Sequence, residues 1–275
     1  MAVIERLLIT GAAGRIGRIL RRSLTDGSLA GVCRRLRVTD LQPLGTAAPH
    51  EELVQGDLGD PAAVRAMMAG VDAVVHLAGY PREAPWEVIL DSNIRPTIHL
   101  WEAALAAGTR RIVFASSNHA IGFYPQGERI DHRVPHRPDG RYGLSKAFME
   151  DVARTYADKH GIAAMGLRIG SCRDAPADAR QLSTWQSPED LVRLVRVGLT
   201  ADYHFEIVYG VSGNGAGWWD NRRAEALGYH PQDSADPWRE RLADAVEDDP
   251  VARRFQGGAF AAAGYSRRTD DDGSR

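Results

Sequence analysis

The sequence predicts an α/β fold, a doubly wound parallel sheet with helices on both faces and a small C-terminal lobe. Short apolar runs alternate with amphipathic helical stretches from residue 6 to residue 170, the pattern of strand–helix–strand units. The first strand–helix junction carries the glycine run GAAGRIG. A chain of 275 residues with 44% hydrophobic content is also long enough to bury both faces of a sheet.

Residues 6–10 form the first strand, which stops at Gly11. Beyond the glycines, Ile16, Ile19, Leu20 and Leu24 recur at helical spacing. Residues 35–40 read as a strand, and residues 60–70 as a helix capped by Asp60, begun by Pro61 and ended by Gly70. Residues 72–79 read as a buried strand, and 86–108 as largely helical with Pro96 kinking or breaking the run. Strand 110–117, helix 141–161 and strand 163–170 complete a first unit, residues 1–170. Beyond it, helix 187–199 (capped by Ser187), strand 204–213 and helix 218–229 are assigned to the lobe. That lobe, residues 171–265, is expected to sit over the carboxyl ends of the strands as an integrated part of the fold. The polar tail 266–275 reads as disordered.

Charged residues make up 25% of the chain and the net charge is -2, which argues against a nucleic-acid surface. The N-terminus runs straight into the glycine motif, so no signal peptide is expected, and no apolar run reaches the roughly 18 residues of a membrane span. Cys33 and Cys172 are far apart and make no metal-type spacing, so reduced thiols in a cytoplasmic protein without a metal site are expected.

Gly11, Gly14 and Gly17 stand between the first strand and first helix. Glycine there permits a positive φ, lets a pyrophosphate approach the backbone and allows tight helix–sheet packing. The helix start, at Arg15 and Ile16, offers N–H groups and a positive dipole end to phosphate. Asp40 closes the second strand, where a carboxylate would accept both adenosine ribose hydroxyls and repel a 2′-phosphate. A dinucleotide site of this Rossmann type, preferring NAD, is therefore expected. Asp57 and Leu58 would flank the adenine, and Leu77, Ala78 and Gly79 leave room for the cofactor. His76 reads as a packed core histidine.

Tyr142 and Lys146 lie one helical turn apart. Bringing a phenol from about 10 to about 7 takes roughly 4 kcal/mol, which a cation about 4 Å away can supply. Ser117, at the end of the preceding strand, could donate to the reacting oxygen. In this order the glycine motif, HLAG, Ser117 and Tyr142-x-x-x-Lys146 resemble the extended branch of the short-chain dehydrogenase/reductase superfamily. The resemblance implies that Tyr142 is the general base, that Lys146 lowers its pKa and holds the nicotinamide ribose, and that Ser117 positions the substrate oxygen. It also implies that Asn93 supports the proton relay and the cofactor side.

Longer stretches, among them IVFASSNHAIGFYPQ, RPDGRYGLSKAFMED, LSTWQSPEDLV, GWWDN and RFQGGAF, resemble the bacterial uronate dehydrogenases, which oxidise C1 of glucuronate or galacturonate with NAD to an aldarolactone. This resemblance implies a hexuronic acid substrate, Arg180 as its carboxylate partner, and Ser117, Asn118, His119, Tyr142 and Ser171 around the sugar. Cys172 would neighbour the nicotinamide carboxamide, and a homo-oligomer is implied by analogy. Arg173 is a rival for the carboxylate. Pro81 and Arg82 depart from the pattern, where a small polar residue would help bind the sugar. Two other readings compete: a nucleotide-sugar epimerase or dehydratase, and a non-catalytic NAD(P)-sensing module.

Overall fold

Seven parallel strands run through the centre of the protein in the computed structural model, which describes residues 4–267 except 26, 28 and 30. In chain order the elements are β1 (Ile4–Thr10), α1 (Arg15–Thr25), β2 (Cys33–Thr39), β3 (Glu51–Leu53), α2 (Pro61–Met68) and β4 (Ala73–His76). They continue with α3 (Trp86–Ile89), one π turn, α4 (Arg95–Ala107), β5 (Arg111–Ser117), α5 (Arg141–His160) and β6 (Ala163–Ile169). The short pair β7 (Ser171–Cys172) and β8 (Trp185–Gln186) brackets α6 (Gln181–Thr184), and α7 (Pro188–Thr200) leads to β9 (Phe205–Gly210).

The strand order is β3-β2-β1-β4-β5-β6-β9. The chain therefore winds one way from β1 and the other way from β4, and the crevice between those two strands is the switch point where ligands bind in such sheets. Thr10, the last residue of β1, pairs with Thr39 on one side and His76 on the other, so the glycine turn leaves the sheet at that crevice.

Successive side chains of a strand point to opposite faces, and both faces here are apolar. Leu7 and Ile9 pack with Leu20, Val38, Val75 and the α7 residues Leu191, Leu194 and Val195. Leu8 packs the other way with Val74, Phe114, Met67, Leu100, Trp101 and Met149. Each fully buried side chain of this size contributes roughly 1.5–3 kcal/mol, which is why the strands read as continuous apolar runs.

The predicted α/β arrangement is thus observed, with three corrections. The helix and strand expected in the lobe, α7 and β9, belong to the layers of the main sheet, since β9 pairs in parallel with β6 from Ala164↔Phe205 to Ile169↔Gly210. The expected helix 218–229 shrinks to α8 (Arg222–Ala226). Residues 218–220 are extended because Ile130 N donates to Trp218 O and Asp220 N to Ile130 O (3.0 and 2.8 Å), while Trp219 stacks on Tyr209. Finally, the break near Pro96 takes the form of a π turn, Leu90–Ile94, with Pro96 in the first turn of α4. Most of the polar tail, residues 268–275, lies outside the described residues. Among the described residues no helix is long and apolar enough to cross a membrane, and no cluster of three metal-ligating side chains occurs.

Candidate active site

The glycine turn is closed so tightly that side chains would break it. Gly11 has φ +69°, and a Cβ there would lie 2.7 Å from Ala78 N. A Cβ on Gly17 would lie 2.4 Å from Gly11 O. Asp40 stands at the tip of β2, where Oδ2 accepts from Ala13 N and Oδ1 from Gln42 N, both at 2.9 Å. The carboxylate is thereby fixed beside the bare loop and the start of α1, whose first N–H groups have no partner within the helix. A pyrophosphate on the loop and a ribose at Asp40 fit this cradle.

The opposite wall is built by β4. Thr10 Oγ1 accepts from Leu77 N and Ala78 N (both 3.2 Å) and meets His76 Nδ1 at 2.8 Å. With two N–H groups already donating to it, the hydroxyl gives its own hydrogen to Nδ1. His76 is fully buried, and burial first, then the Lys146 charge, pulls its pKa down to about 3. The core reading of His76 fits that environment. Asp57 accepts from Gly59 N (2.7 Å) in an exposed turn, and Leu58 is buried beside it. Arg15 reaches Asp174 across the mouth of the crevice (3.4 Å). Asn93 is buried in the π turn, where it accepts from Tyr80 N and donates to Tyr80 O and Ser145 Oγ (2.7, 3.2 and 2.9 Å), pinning the loop after β4 to α5.

Tyr142 and Lys146 occupy the first turns of α5, and both are buried. Ser117, the last residue of β5, is the side chain whose hydroxyl acts on the Tyr142 phenol and favours its ionised form. Lys146 Nζ donates to Ala115 O at 2.9 Å and lies 5.6 Å from the centre of the Tyr142 ring. The expected lowering of the phenol by this cation is not what the isolated protein shows. Burial dominates and pushes Tyr142 up to about 12, the Ser117 hydroxyl opposes it, and the Asp139 charge adds to it. Burial likewise pulls the Lys146 ammonium down to about 8.

The short turn after β5 carries Asn118 and His119 into the same cluster. With its amide oriented by its neighbours, Asn118 accepts from Arg180 Nη2 (2.9 Å) and donates to Ile169 O (3.1 Å). His119 Nδ1 meets Asp139 Oδ2 at 2.6 Å, and its ring stacks on Phe260 with centroids 3.9 Å apart. Tyr142 presents its ring to both, at 5.7 Å from His119 and 5.9 Å from Phe260. Arg180 precedes α6 and donates through Nε and Nη2 to Gln256 O (2.8 and 2.6 Å). Its desolvation lowers its pKa, partly offset by Asp178 and Asp139. Arg173 is exposed and makes none of these contacts.

Ser171 lies one strand away, its hydroxyl 3.0 Å from Thr184 Oγ1. Cys172 follows it, and burial pushes its thiol up to about 12, which suits a neighbour more than a nucleophile. Pro81 and Arg82 are exposed. Sequence reasoning missed Asp139, Glu83, Gln256 and Phe260. The last two lie in the quoted run RFQGGAF and Asp139 in RPDGRYG, so the signal was present as motif but not as chemistry.

Residues 7–172 match the model of the NAD dependent epimerase/dehydratase family. The chain is 48% identical to the uronate dehydrogenase of Pseudomonas putida over 94% of its own length and 97% of that protein. The crystal structure of uronate dehydrogenase from Agrobacterium tumefaciens is similar at a TM-score of 0.87 and 48% identity, covering 94% of this chain and 97% of that one. A mutant of that enzyme, solved as a complex with NAD, is similar at a TM-score of 0.87 and 47% identity, with the same coverage.

Proposed function

The chain belongs to the uronate dehydrogenases of the NAD dependent epimerase/dehydratase family, and from that premise we propose that it oxidises the anomeric carbon of glucuronate or galacturonate with Tyr142 as base. The single observation that carries the reading is the Arg180–Asn118 contact. It puts a partly buried guanidinium in one cluster with the phenol and hydroxyl of Tyr142 and Ser117. A cation so placed suits a substrate with a carboxylate at one end and a reacting hydroxyl at the other.

In this reading Arg180 pairs with the uronate carboxylate, while Asn118, His119 and Ser171 meet sugar hydroxyls. Ser117 donates to the C1 oxygen and Tyr142 accepts its proton, leaving a carbonyl at C1 and hence a 1,5-lactone. When bound, oxidised NAD supplies the hydride acceptor and a positive charge that favours the phenolate. Gly11, Gly14, Arg15, Ile16, Gly17, Asp40, Asp57, Leu58, Leu77, Ala78 and Gly79 line its path, and Lys146 holds a cation at the nicotinamide ribose. Residues after Gly170, apart from α7 and β9, form the substrate side.

Exposed Trp86, Val88, Leu90, Ile98 and Leu105 on α3 to α4, with Leu144 on α5, support a homo-oligomer formed through those helices. The two free thiols, Cys33 and Cys172, suit the cytoplasm. The test is NADH absorbance with glucuronate, galacturonate, glucose and galactose, each with NAD and with NADP. NADH from the uronates with NAD is expected. Tightly retained NAD and no net NADH from any uronate would overturn the reading in favour of an epimerase or dehydratase.

A further inference from the structure

Asp139 is a charged group confined close to Tyr142. Its side chain is fully buried, and Oδ2 lies 2.6 Å from His119 Nδ1. Its second oxygen, Oδ1, has no hydrogen-bond partner. A Cβ on Gly122 or on Gly257 would fall 1.9 Å from Oδ2, and one on Gly143 2.9 Å from Oδ1. The main chain is shaped around this carboxylate from three separate segments. A buried charge with one free oxygen is costly to keep, so a purely structural filler would not need it.

We propose that Asp139 is a positioning residue that holds His119 with its hydrogen on Nδ1, so that the neutral ring turns a bare Nε2 toward a hydroxyl of the sugar as an acceptor. A carboxylate has no hydrogen to give, so the hydrogen between Asp139 and His119 belongs to Nδ1. In a neutral imidazole the other nitrogen is then a lone-pair acceptor. Phe260 stacked on one side at 3.9 Å and Tyr142 at 5.7 Å fix the plane of the ring, and Asp139 fixes its rotation within that plane. His119 N also donates to Ser117 Oγ (3.2 Å), so the same turn that aims the imidazole holds the serine against the phenol. The identity of the donor as a sugar hydroxyl rests on the uronate reading; the tautomer does not.

The tautomer is read from long-range proton–nitrogen correlations on protein labelled with 15N-histidine, without turnover. Wild type is expected to show Nδ1 protonated and Nε2 bare for His119, and Nε2 is expected to shift when glucuronate is added to the NADH complex. The variant Asp139→Asn is expected to lose the Nδ1–H preference. Its KM for uronate should rise about tenfold, the loss of one hydrogen bond, with kcat changed far less. A wild type with a hydrogen on Nε2, whether alone or together with one on Nδ1, overturns the assignment whatever the enzyme oxidises, as does an Nε2 signal indifferent to glucuronate. Because the tautomer is measured on unmutated protein, poor folding of the variant would not shield the proposal.

Discussion

Arg180 is anchored by Gln256: its Nε and Nη2 both donate to the Gln256 carbonyl oxygen, at 2.8 and 2.6 Å, across 76 residues of sequence. Gly258 is packed against the same side chain, so that a Cβ there would lie 2.7 Å from Arg180 Cδ. The segment from Gln256 to Phe260 therefore sets where the guanidinium stands.

Removing that cation should separate acidic from neutral sugars. Arg180→Ala is expected to raise KM for uronates by about 10- to 100-fold, the loss of a charge-assisted contact of roughly 1.5–3 kcal/mol, with little change for neutral aldoses. Steady-state kinetics on glucuronate and glucose decide it. Equal damage to both substrates would remove Arg180 as the carboxylate partner.

Tyr142→Phe keeps the ring and its packing on His119 and Phe260 but removes the proton acceptor. A loss in kcat of about 10²- to 10⁴-fold is expected for a missing general base, with NAD affinity by calorimetry within a factor of two or so of wild type. Near-normal turnover would exclude the phenol from the chemistry.

Lys146 makes a prediction about stability and pH. Its pKa falls from the ordinary 10.5 to about 8 through burial, so between those values the unfolded chain holds the proton more strongly. Stability then rises with pH across that window, and the whole burial cost is carried below about pH 8. That cost is on the order of 3 kcal/mol at 1.36 per unit. In urea denaturation of the cofactor-free protein, Lys146→Met should therefore be at its most stable relative to wild type near pH 7. The gap should narrow by pH 9.5, below the range where Tyr142 contributes. A gap independent of pH would show that the ammonium is not desolvated.

Asp40 has two tasks in this structure, holding Ala13 N and Gln42 N and presenting negative charge beside the glycine turn. Asp40→Asn keeps one acceptor and the shape while removing the charge that repels a 2′-phosphate. The ratio of kcat/KM for NAD over NADP is expected to fall at least tenfold, with NAD activity weakened as well. A wild type already faster with NADP would sink this role of Asp40.

What could be read from the sequence were the parts whose partners are close along the chain. Gly11, Gly14 and Gly17 span one turn, and Tyr142 and Lys146 one helical turn, so residue type and spacing give their placement directly. The apolar face of β9 was equally clear, but Ile207, Val208 and Tyr209 would suit any sheet, and nothing local says that their neighbour is β6. The same holds for the supports of the site. Asp139 lies 20 residues from His119, Glu83 lies 59 from Tyr142 and Gln256 lies 76 from Arg180. No periodicity links such pairs. The phenol misled for a different reason: proximity to a cation is visible in the sequence, whereas the depth of burial that outweighs it is a property of the packed fold.

Glu83 is the clearest of these distant supports and gives the last prediction. The residue before α5 is Gly140, which has no side chain to cap the helix, and a Cβ there would lie 2.4 Å from Glu83 Oε2. Glu83 takes over that duty from the loop after β4, accepting from Arg141 N at 3.1 Å and Tyr142 N at 3.0 Å. A carboxylate there satisfies two otherwise orphaned N–H groups and also meets the positive end of the helix dipole. Because one of those N–H groups belongs to Tyr142, the cap also fixes the backbone of that residue. Glu83→Ala should cost about 1–2 kcal/mol of stability and lower kcat several-fold, and Glu83→Gln, which keeps one acceptor, should fall between. Urea denaturation and steady-state kinetics on the three proteins measure both effects. If Glu83→Ala matches wild type in stability and in kcat, the loop does not hold Tyr142 in place and the helix start is rigid without it.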